Sequence, residues 1–126
     1  MSFDTVKIII IDDSILARKQ LKDVLFQNGI SLIVEGSNGQ EAVDLYKEHH
    51  PDLVFLDIVM PVKSGNDAIK EIKEFDPDAN IIIVSSVGTQ TELRHMIEAG
   101  AKEFIQKPFQ PDQISQILTK LFEGRS

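Results

Sequence analysis

Four short apolar runs constrain the fold of this chain most strongly, because each leads to residues that can do chemistry. The runs cover residues 8–11, 53–56, 81–84 and 104–105. Runs of this length, separated by stretches with helical spacing, are typical of buried parallel strands. The residues that follow them are, in order, Asp12 and Asp13, Asp57, Ser85 and Ser86, and, after Gln106, Lys107. Since ligand sites in open parallel sheets lie at the carboxyl ends of the strands, we expect these side chains to meet in one crevice.

The acidic residues of this set predict a cation site. Asp12, Asp13 and Asp57 would bring three carboxylates together, and they would repel one another unless they shared a cation. Oxygen ligands without sulfur or imidazole, beside a lysine, are typical of a Mg²⁺ site that handles a phosphoryl group. The sequence therefore predicts Mg²⁺ as the cofactor.

Composition indicates one compact domain. The chain has 126 residues, which is near the usual size of a single domain. Its net charge of −7 argues against a nucleic-acid partner, because a phosphate backbone attracts a positive face. No run reaches the length of a membrane span, and residues 1–4 do not have the character of a signal peptide. Without cysteine, disulfides and zinc thiolates are excluded, and a cytoplasmic location is the expectation.

Helical patterns alternate with the strands along the chain. Capping-box patterns at Asn38 with Glu41 and at Thr89 with Glu92 open two of the helices, and Pro111 is expected at the first position of the last one. A further strand at residues 32–34 brings the number of strands to five. This alternation predicts an α/β fold, a doubly wound five-stranded parallel sheet with five helices. Of the two common strand orders, only the flavodoxin-like order 2-1-3-4-5 brings the three aspartates together directly, so the chemistry selects it.

Taken together along the chain, the motifs at the strand ends resemble those of the receiver domains of two-component response regulators. The residues that carry the resemblance are Asp12-Asp13, Asp57 with Met60-Pro61 and Gly65, Ser85, and Lys107-Pro108-Phe109. Each motif alone is weak, but together and at strand ends they are specific. The resemblance covers nearly the whole chain and predicts one receiver domain over residues 1–126, most similar to the CheY-like single-domain chemotaxis regulators.

The resemblance implies a role for each residue of the crevice. Asp57 would accept a phosphoryl group from the phosphohistidine of a histidine kinase. Mg²⁺ would be bound by Asp13, Asp57 and the backbone carbonyl of Val59, with Asp12 helping through water. Lys107 would pair with Asp57 and then with the phosphoryl oxygens, and the bond from Lys107 to Pro108 would be cis. Such a protein would catalyse only its own phosphorylation and dephosphorylation.

The resemblance also implies a switch. The hydroxyl of Ser85 and the amide of Ser86 would bind the phosphoryl oxygens, and Phe104 occupies the family's aromatic switch position, where chemotaxis regulators often have tyrosine. Phosphorylation would draw Ser85 inward and move Phe104, which would reshape the face of helix 4, strand 5 and helix 5 for a downstream protein. The apolar side chains of Val59 and Val87 cannot orient an attacking water, so we expect slow self-dephosphorylation and a separate phosphatase.

Other functions and residue roles remain open at the level of sequence. A Mg²⁺-dependent phosphatase of the haloacid-dehalogenase type would need a second aspartate where this chain has Val59. A flavodoxin-like flavin carrier would need a phosphate-binding first loop, but Asp12 and Asp13 would repel a phosphate there. The chain could also be a receiver domain excised from a larger DNA-binding or enzymatic regulator, although its end after the fifth helix favours a stand-alone protein. Finally, we expect Arg18, Lys19 and Lys22 to form a solvated helix face.

Overall fold

The fold was analysed in a computed structural model that describes residues 3–58, 60–86 and 89–123. Five parallel strands form one sheet in the order β2-β1-β3-β4-β5, which confirms the predicted flavodoxin-like topology. In chain order the elements are β1 (Lys7–Ile11), α1 (Ile15–Gln27), β2 (Leu32–Gly36), α2 (Gly39–His49), β3 (Leu53–Leu56), α3 (Gly65–Phe75), β4 (Ile81–Ser85), α4 (Gln90–Ala99), β5 (Glu103–Gln106) and α5 (Pro111–Phe122).

Alternation along the strands divides the core into two layers. On β1, Ile8 and Ile10 belong to the layer that α1 and α5 cover, whereas Ile9 and Ile11 belong to the layer under α2, α3 and α4. Both faces of the central strands are therefore buried, which explains why they are continuous apolar runs. Each fully buried isoleucine contributes roughly 1.5–3 kcal/mol through removal of its side chain from water. This packing fixes the strand ends, and with them the site.

Side chains at the helix starts satisfy backbone amides that have no partner inside the helix. Ser14 Oγ accepts from the Ala17 amide at 3.1 Å, and the predicted capping box of Thr89 with Glu92 is confirmed. At α2 the predicted capping box is only half correct. The Asn38 side chain accepts from the Glu41 backbone amide. The Glu41 carboxylate, however, accepts from the backbone amide and hydroxyl of Ser37 and from the side-chain amide of Asn38, and not from the backbone amide of Asn38. The carboxylate thus closes the turn one residue earlier than predicted.

Strand β2 extends two residues beyond the predicted 32–34, to Gly36, because its partner β1 continues to Ile11. Strand β3 ends at Leu56, directly before Asp57. The Asp57 amide still donates to the Ile11 carbonyl at 3.0 Å. The acidic side chain therefore lies just beyond the sheet while its backbone remains fixed to β1. Among the helices of the described residues, none is long and apolar enough to cross a membrane.

Candidate functional site

Polar groups from three strands meet at the carboxyl edge of the sheet. Asp12, Asp57 and Ser85 have exposed fractions of 5%, 8% and 1%, and they are the buried polar residues of the part of the chain that the structure describes. They lie at or directly after the ends of β1, β3 and β4, which are neighbours in the sheet. Burial of charged groups is unfavourable unless partners compensate for it. A cluster of buried polar groups in an otherwise apolar core therefore indicates a functional site.

The predicted carboxylate cluster forms. One oxygen each from Asp12, Asp13 and Asp57 lies within 4.8 Å of the others, with Asp13 exposed to solvent and the other two buried. This spacing allows three oxygens to contact one small cation. Carboxylate oxygens are the donors that Mg²⁺ prefers, and an exposed member leaves room for the waters that Mg²⁺ usually retains. The donor set therefore fits a magnesium ion.

The polar atoms of Asp12 have partners on several sides. Its Oδ1 accepts from the Ser14 amide at 2.9 Å, and its Oδ2 accepts from Lys107 Nζ at 2.5 Å. Its backbone carbonyl accepts from the Arg18 guanidinium at 2.6 Å, and its amide donates to the Gly36 carbonyl. The orientation of Asp12 is consequently fixed by α1, by β2 and by the residue that follows β5.

The negative charge of Asp57 is less completely neutralised by Lys107 than the charge of Asp12 is. Lys107 Nζ lies 3.8 Å from Asp57 Oδ2, and the Ser85 side chain donates a hydrogen bond to the carboxylate. Burial raises the pKa of Asp57, and this effect outweighs the Ser85 hydrogen bond and the Lys107 charge, which both lower it, while the Asp12 charge adds to the rise. Asp57 is thus a carboxylate whose charged form is incompletely stabilised by the protein alone.

The remaining predicted residues lie around this centre. Ser85 is buried, and its side chain forms a hydrogen bond with the Asp57 carboxylate. Ser86 is exposed, and Phe104 is half-buried on β5, where it packs against the core layer that contains Ile83. The predicted cis bond between Lys107 and Pro108 is present. The predictions for Val59 and Val87 lie outside the described residues.

An open cavity adjoins the carboxylates. Its volume is about 540 Å³, and its walls come from α1 on one side and from residues 107–109 on the other. Asp12, Asp57 and Lys107 lie at its polar end, and its remaining walls are mainly apolar. The site is therefore reached through a cleft that leaves Asp57 accessible to a reactant despite its burial in the folded chain.

The expectation of a solvated basic face on α1 was wrong for two of its three residues. Arg18 and Lys22 both bind Glu35 of β2, at 3.1 Å and 3.0 Å, and the Arg18 side chain is only 16% exposed. The Lys22 hydrogen bond is the largest of the effects that lower the pKa of Glu35. Only Lys19 behaves as expected, in an exposed pair with Asp23. Sequence reasoning missed Arg18 because its partners come from other elements, although its place one helical turn after Ser14 is a usable signal.

Comparison with known proteins agrees with this architecture. Residues 8–119 match the family model of the response regulator receiver domain. The chain is 46% identical over 114 residues to the chemotaxis protein CheY of Bacillus subtilis, with 90% of this chain and 95% of that protein covered.

Two solved structures extend the comparison. The crystal structure of the CheX-CheY-BeF3-Mg²⁺ complex from Borrelia burgdorferi matches with a TM-score of 0.87 and 34% identity, and the match covers 93% of this chain and 89% of that one. A co-crystal structure of the Saccharomyces cerevisiae histidine phosphotransfer protein Ypd1 with the receiver domain of Ssk1 matches with a TM-score of 0.84 and 25% identity, covering 96% and 91% of the two chains.

Proposed function

Since this chain belongs to the response regulator receiver domains and is a phosphorylation-switched signalling module, we propose that Asp57 accepts the phosphoryl group and that the protein acts in chemotaxis. The observation that carries the assignment of Asp57 is its position. It is a buried carboxylate that faces a cleft, with Asp12, Asp13, Ser85 and Lys107 around it. Residues 1–126 act as one receiver domain in this proposal.

The chemistry is a transfer of a phosphoryl group between two side chains. An Asp57 oxygen forms the new bond to phosphorus, the P–N bond of a phosphohistidine breaks, and the histidine keeps the electron pair of that bond. The main task of the protein is to position the carboxylate and to neutralise charge. The Lys107 ammonium lies 3.8 Å from Asp57, and the Ser85 hydroxyl forms a hydrogen bond with the same carboxylate. Both groups would donate hydrogen bonds to the oxygens of a phosphoryl group attached to Asp57.

Mg²⁺ is the proposed cofactor. The residues that would hold it are Asp13 and Asp57, with Asp12 beside them, and the backbone carbonyl of Val59 is added from the family resemblance. When bound, the ion would supply positive charge that stabilises the negative charge developing on the phosphoryl oxygens during transfer. Because the Asp13 carboxylate is exposed, the ion could enter the site from solvent. Its positive charge would reduce the repulsion between the buried carboxylates of Asp12 and Asp57.

The proposed partners follow from the relatives. A histidine kinase or phosphotransfer protein would donate the phosphoryl group, in line with the complex of Ypd1 and the Ssk1 receiver domain. The downstream partner would bind the face of α4, β5 and α5 that includes Phe104, and the CheX-CheY complex supports a chemotaxis protein as a partner. A separate phosphatase would end the signal. The protein would work in the cytoplasm, where a kinase can draw on ATP, and its own catalysis would be limited to Asp57.

The assignment of Asp57 is tested by intact-mass spectrometry after incubation with acetyl phosphate and Mg²⁺. We expect one phosphoryl adduct in the wild type and none in Asp57→Asn. Asp112→Asn is the matched control, because it removes an exposed carboxylate from the start of α5. A single adduct that persists in Asp57→Asn would refute the assignment.

The switch is tested by a pull-down from extract with and without beryllofluoride, a phosphoryl mimic. We expect a chemotaxis protein to be captured only with beryllofluoride and Mg²⁺ and to be lost in Phe104→Ala. If capture is equal in all conditions, phosphorylation does not control binding at this face.

A further inference from the structure

The segment that joins Asp57 to α3 rests against the first residue of α2. A Cβ atom built on Gly39 would lie 2.8 Å from the backbone carbonyl carbon of Lys63 and would overlap its carbonyl oxygen. Carbon atoms in good contact are about 3.5–4.0 Å apart. The backbone of Lys63 can therefore occupy this position only because Gly39 carries no side chain.

The turn that brings Lys63 to α2 is itself unusual. The Lys63 amide donates to the Pro61 carbonyl at 2.8 Å, and Val62 between them has a φ of 73°. A hydrogen bond that spans two residues around a positive φ defines a rare and strained kind of γ-turn. Val62 is β-branched and 81% exposed, so no packing of its side chain explains the conformation. Contacts of its neighbours must hold it.

Lys63 also has a second anchor. Its Nζ pairs with the Glu71 carboxylate of α3, while its carbonyl lies against Gly39 of α2. The residue is thus fixed between α2 and α3, which pack on one face of the sheet. This pairing restrains the Lys63 side chain, and the contact with Gly39 restrains its carbonyl.

A displacement of Lys63 would be transmitted to Asp57 through Ser64 and Gly65, the two residues that follow Lys63 in the chain. Ser64 caps α3 and accepts from the Asp67 amide at 3.1 Å. Gly65 comes next, and a Cβ atom there would lie 3.1 Å from the Asp57 carbonyl oxygen and 3.2 Å from that of Ile58. The start of α3 is therefore packed directly on the backbone of Asp57. Since Lys63 is bonded to Ser64, the position of its carbonyl sets the position of Gly65 against the acceptor.

We propose that Gly39 is a positioning residue for phosphoryl transfer, which holds the backbone of Asp57 in place through Lys63, Ser64 and Gly65. The inference rests on the proposed role of Asp57 as acceptor. A methyl group at residue 39 would force the Lys63 carbonyl to move by about 1 Å to restore normal contact. A misplacement of that size can slow a reaction by about a hundredfold, because attack requires alignment of the reacting atoms.

The test compares Gly39→Ala with Gly100→Ala. Gly100 caps the end of α4 with a φ of 125°, and a Cβ there would meet Lys73 Cγ at 2.8 Å and Lys73 Cε at 2.9 Å, which belong to a flexible side chain and not to backbone. Both variants should lose stability in urea unfolding. At saturating acetyl phosphate and Mg²⁺, we expect Gly39→Ala to be phosphorylated at least tenfold more slowly than the wild type and Gly100→Ala to stay within threefold.

A second measurement is made without metal or phosphoryl donor. Hydrogen exchange at the Lys63 amide reports on the turn directly, because that amide donates to Pro61. It should become several-fold faster in Gly39→Ala and remain unchanged in Gly100→Ala. Unchanged exchange at Lys63 in Gly39→Ala would mean that the contact does not hold the turn, and it would overturn the proposal.

The remaining outcomes separate this inference from the assignment of the acceptor. If the wild type is not phosphorylated on Asp57, both ideas are wrong. If it is, but Gly39→Ala reacts at the wild-type rate or both glycine variants are slowed equally, only the role of Gly39 is wrong. If Gly39→Ala does not fold, Gly39→Ala with Val62→Gly lets the Lys63 carbonyl turn away from the new methyl group. Slow phosphorylation of that folded double variant supports the proposal, and the wild-type rate overturns it.

Discussion

Lys107 Nζ lies 2.5 Å from Asp12 Oδ2 but 3.8 Å from Asp57 Oδ2, so the lysine neutralises the neighbour of the proposed acceptor more than the acceptor itself. The pair of Lys107 with Asp57 was expected from the sequence, whereas its shorter contact with Asp12 was not. The arrangement leaves Asp57 with an incompletely compensated charge, while Asp12 has both carboxylate oxygens occupied. A phosphoryl group that arrives at Asp57 would lie only a short distance from the Lys107 ammonium.

The first prediction concerns Lys107→Gln. Removal of the ammonium leaves Asp12 and Asp57 buried side by side without their shared cation. Loss of one partner from a buried ion pair typically costs 3–5 kcal/mol, and we expect about 2 kcal/mol because Lys107 is partly exposed. Urea unfolding in the presence of EDTA measures the loss. Addition of Asp12→Asn should recover most of it, and a double variant as unstable as the single one would contradict this account.

The second prediction concerns the pH dependence of Asp57→Asn without metal. Burial raises the pKa of Asp57 in the folded chain, so its charged form destabilises the fold when the pH lies above that pKa. We therefore expect Asp57→Asn to be more stable than the wild type at pH 7. The difference should shrink as the pH falls through the folded pKa and vanish below about pH 3.8, where the carboxyl of the unfolded chain is protonated too. Urea midpoints at pH 7, 5 and 3.5 test this, and an advantage that grows in acid would show the reverse sign.

Magnesium supplies a control for that prediction. The ion should stabilise the wild type and stabilise Asp57→Asn much less, because the variant lacks one of the three carboxylates. Asp13→Asn should behave similarly, whereas Asp112→Asn, which does not belong to the group of three carboxylates, should respond as the wild type does. Melting temperatures with 10 mM EDTA and with about 10 mM Mg²⁺ give this comparison. Equal shifts in all four proteins would show that Mg²⁺ binds elsewhere.

The sequence predicted the sheet and the meeting of its strand ends because both follow from simple periodicity. A buried parallel strand is a short apolar run, and its carboxyl end is where a side chain can leave the core, so Asp12, Asp57 and Ser85 could be placed before any coordinates. The strand order needed a further argument from charge. The structure confirms this order, in which β1 and β3 are neighbours and β4 lies beside β3.

The features that were missed depend on differences of about an ångström between distant elements. Whether Lys107 lies nearer to Asp12 or to Asp57 is decided by packing across the sheet, and no spacing in the sequence encodes it. The same holds for Arg18, whose guanidinium reaches the Asp12 carbonyl and Glu35 from α1. The positive φ of Val62 could not be predicted from the sequence for another reason, because β-branched residues such as valine rarely adopt a positive φ.

The third prediction concerns the far end of the sheet, where Tyr46 donates to Asp76 at 2.6 Å. The hydrogen bond lowers the pKa of Asp76, and burial is the largest cause that raises the pKa of Tyr46. Tyr46→Phe should cost about 1 kcal/mol at pH 7, the usual net worth of one hydrogen bond. Because the folded pKa of Asp76 is depressed, its contribution is present above the ordinary carboxyl pKa and is lost as the pH falls through the folded value.

A double-mutant cycle with Asp76→Asn checks this pair. The two residues should couple at pH 7, and the coupling between them should fall in acid as Asp76 becomes protonated. The phosphorylation rate of Tyr46→Phe should equal that of the wild type, because the pair lies away from Asp57. A coupling that stays constant down to pH 3 would show that the carboxylate charge contributes nothing to it.

The last prediction concerns Val62→Asn. Valine is a poor residue at a φ of 73°, whereas asparagine tolerates positive φ, and the side chain is exposed, so its replacement disturbs no packing. Strain of this kind costs of order 1–3 kcal/mol, and we expect Val62→Asn to gain about 1 kcal/mol in urea unfolding. Val62→Ala is the matched control, because alanine shares the steric restriction and should gain little. Since the turn keeps its shape, Val62→Asn should be phosphorylated at the wild-type rate. Equal stability of the asparagine and alanine variants would mean that the positive φ of Val62 costs no measurable free energy in the folded protein.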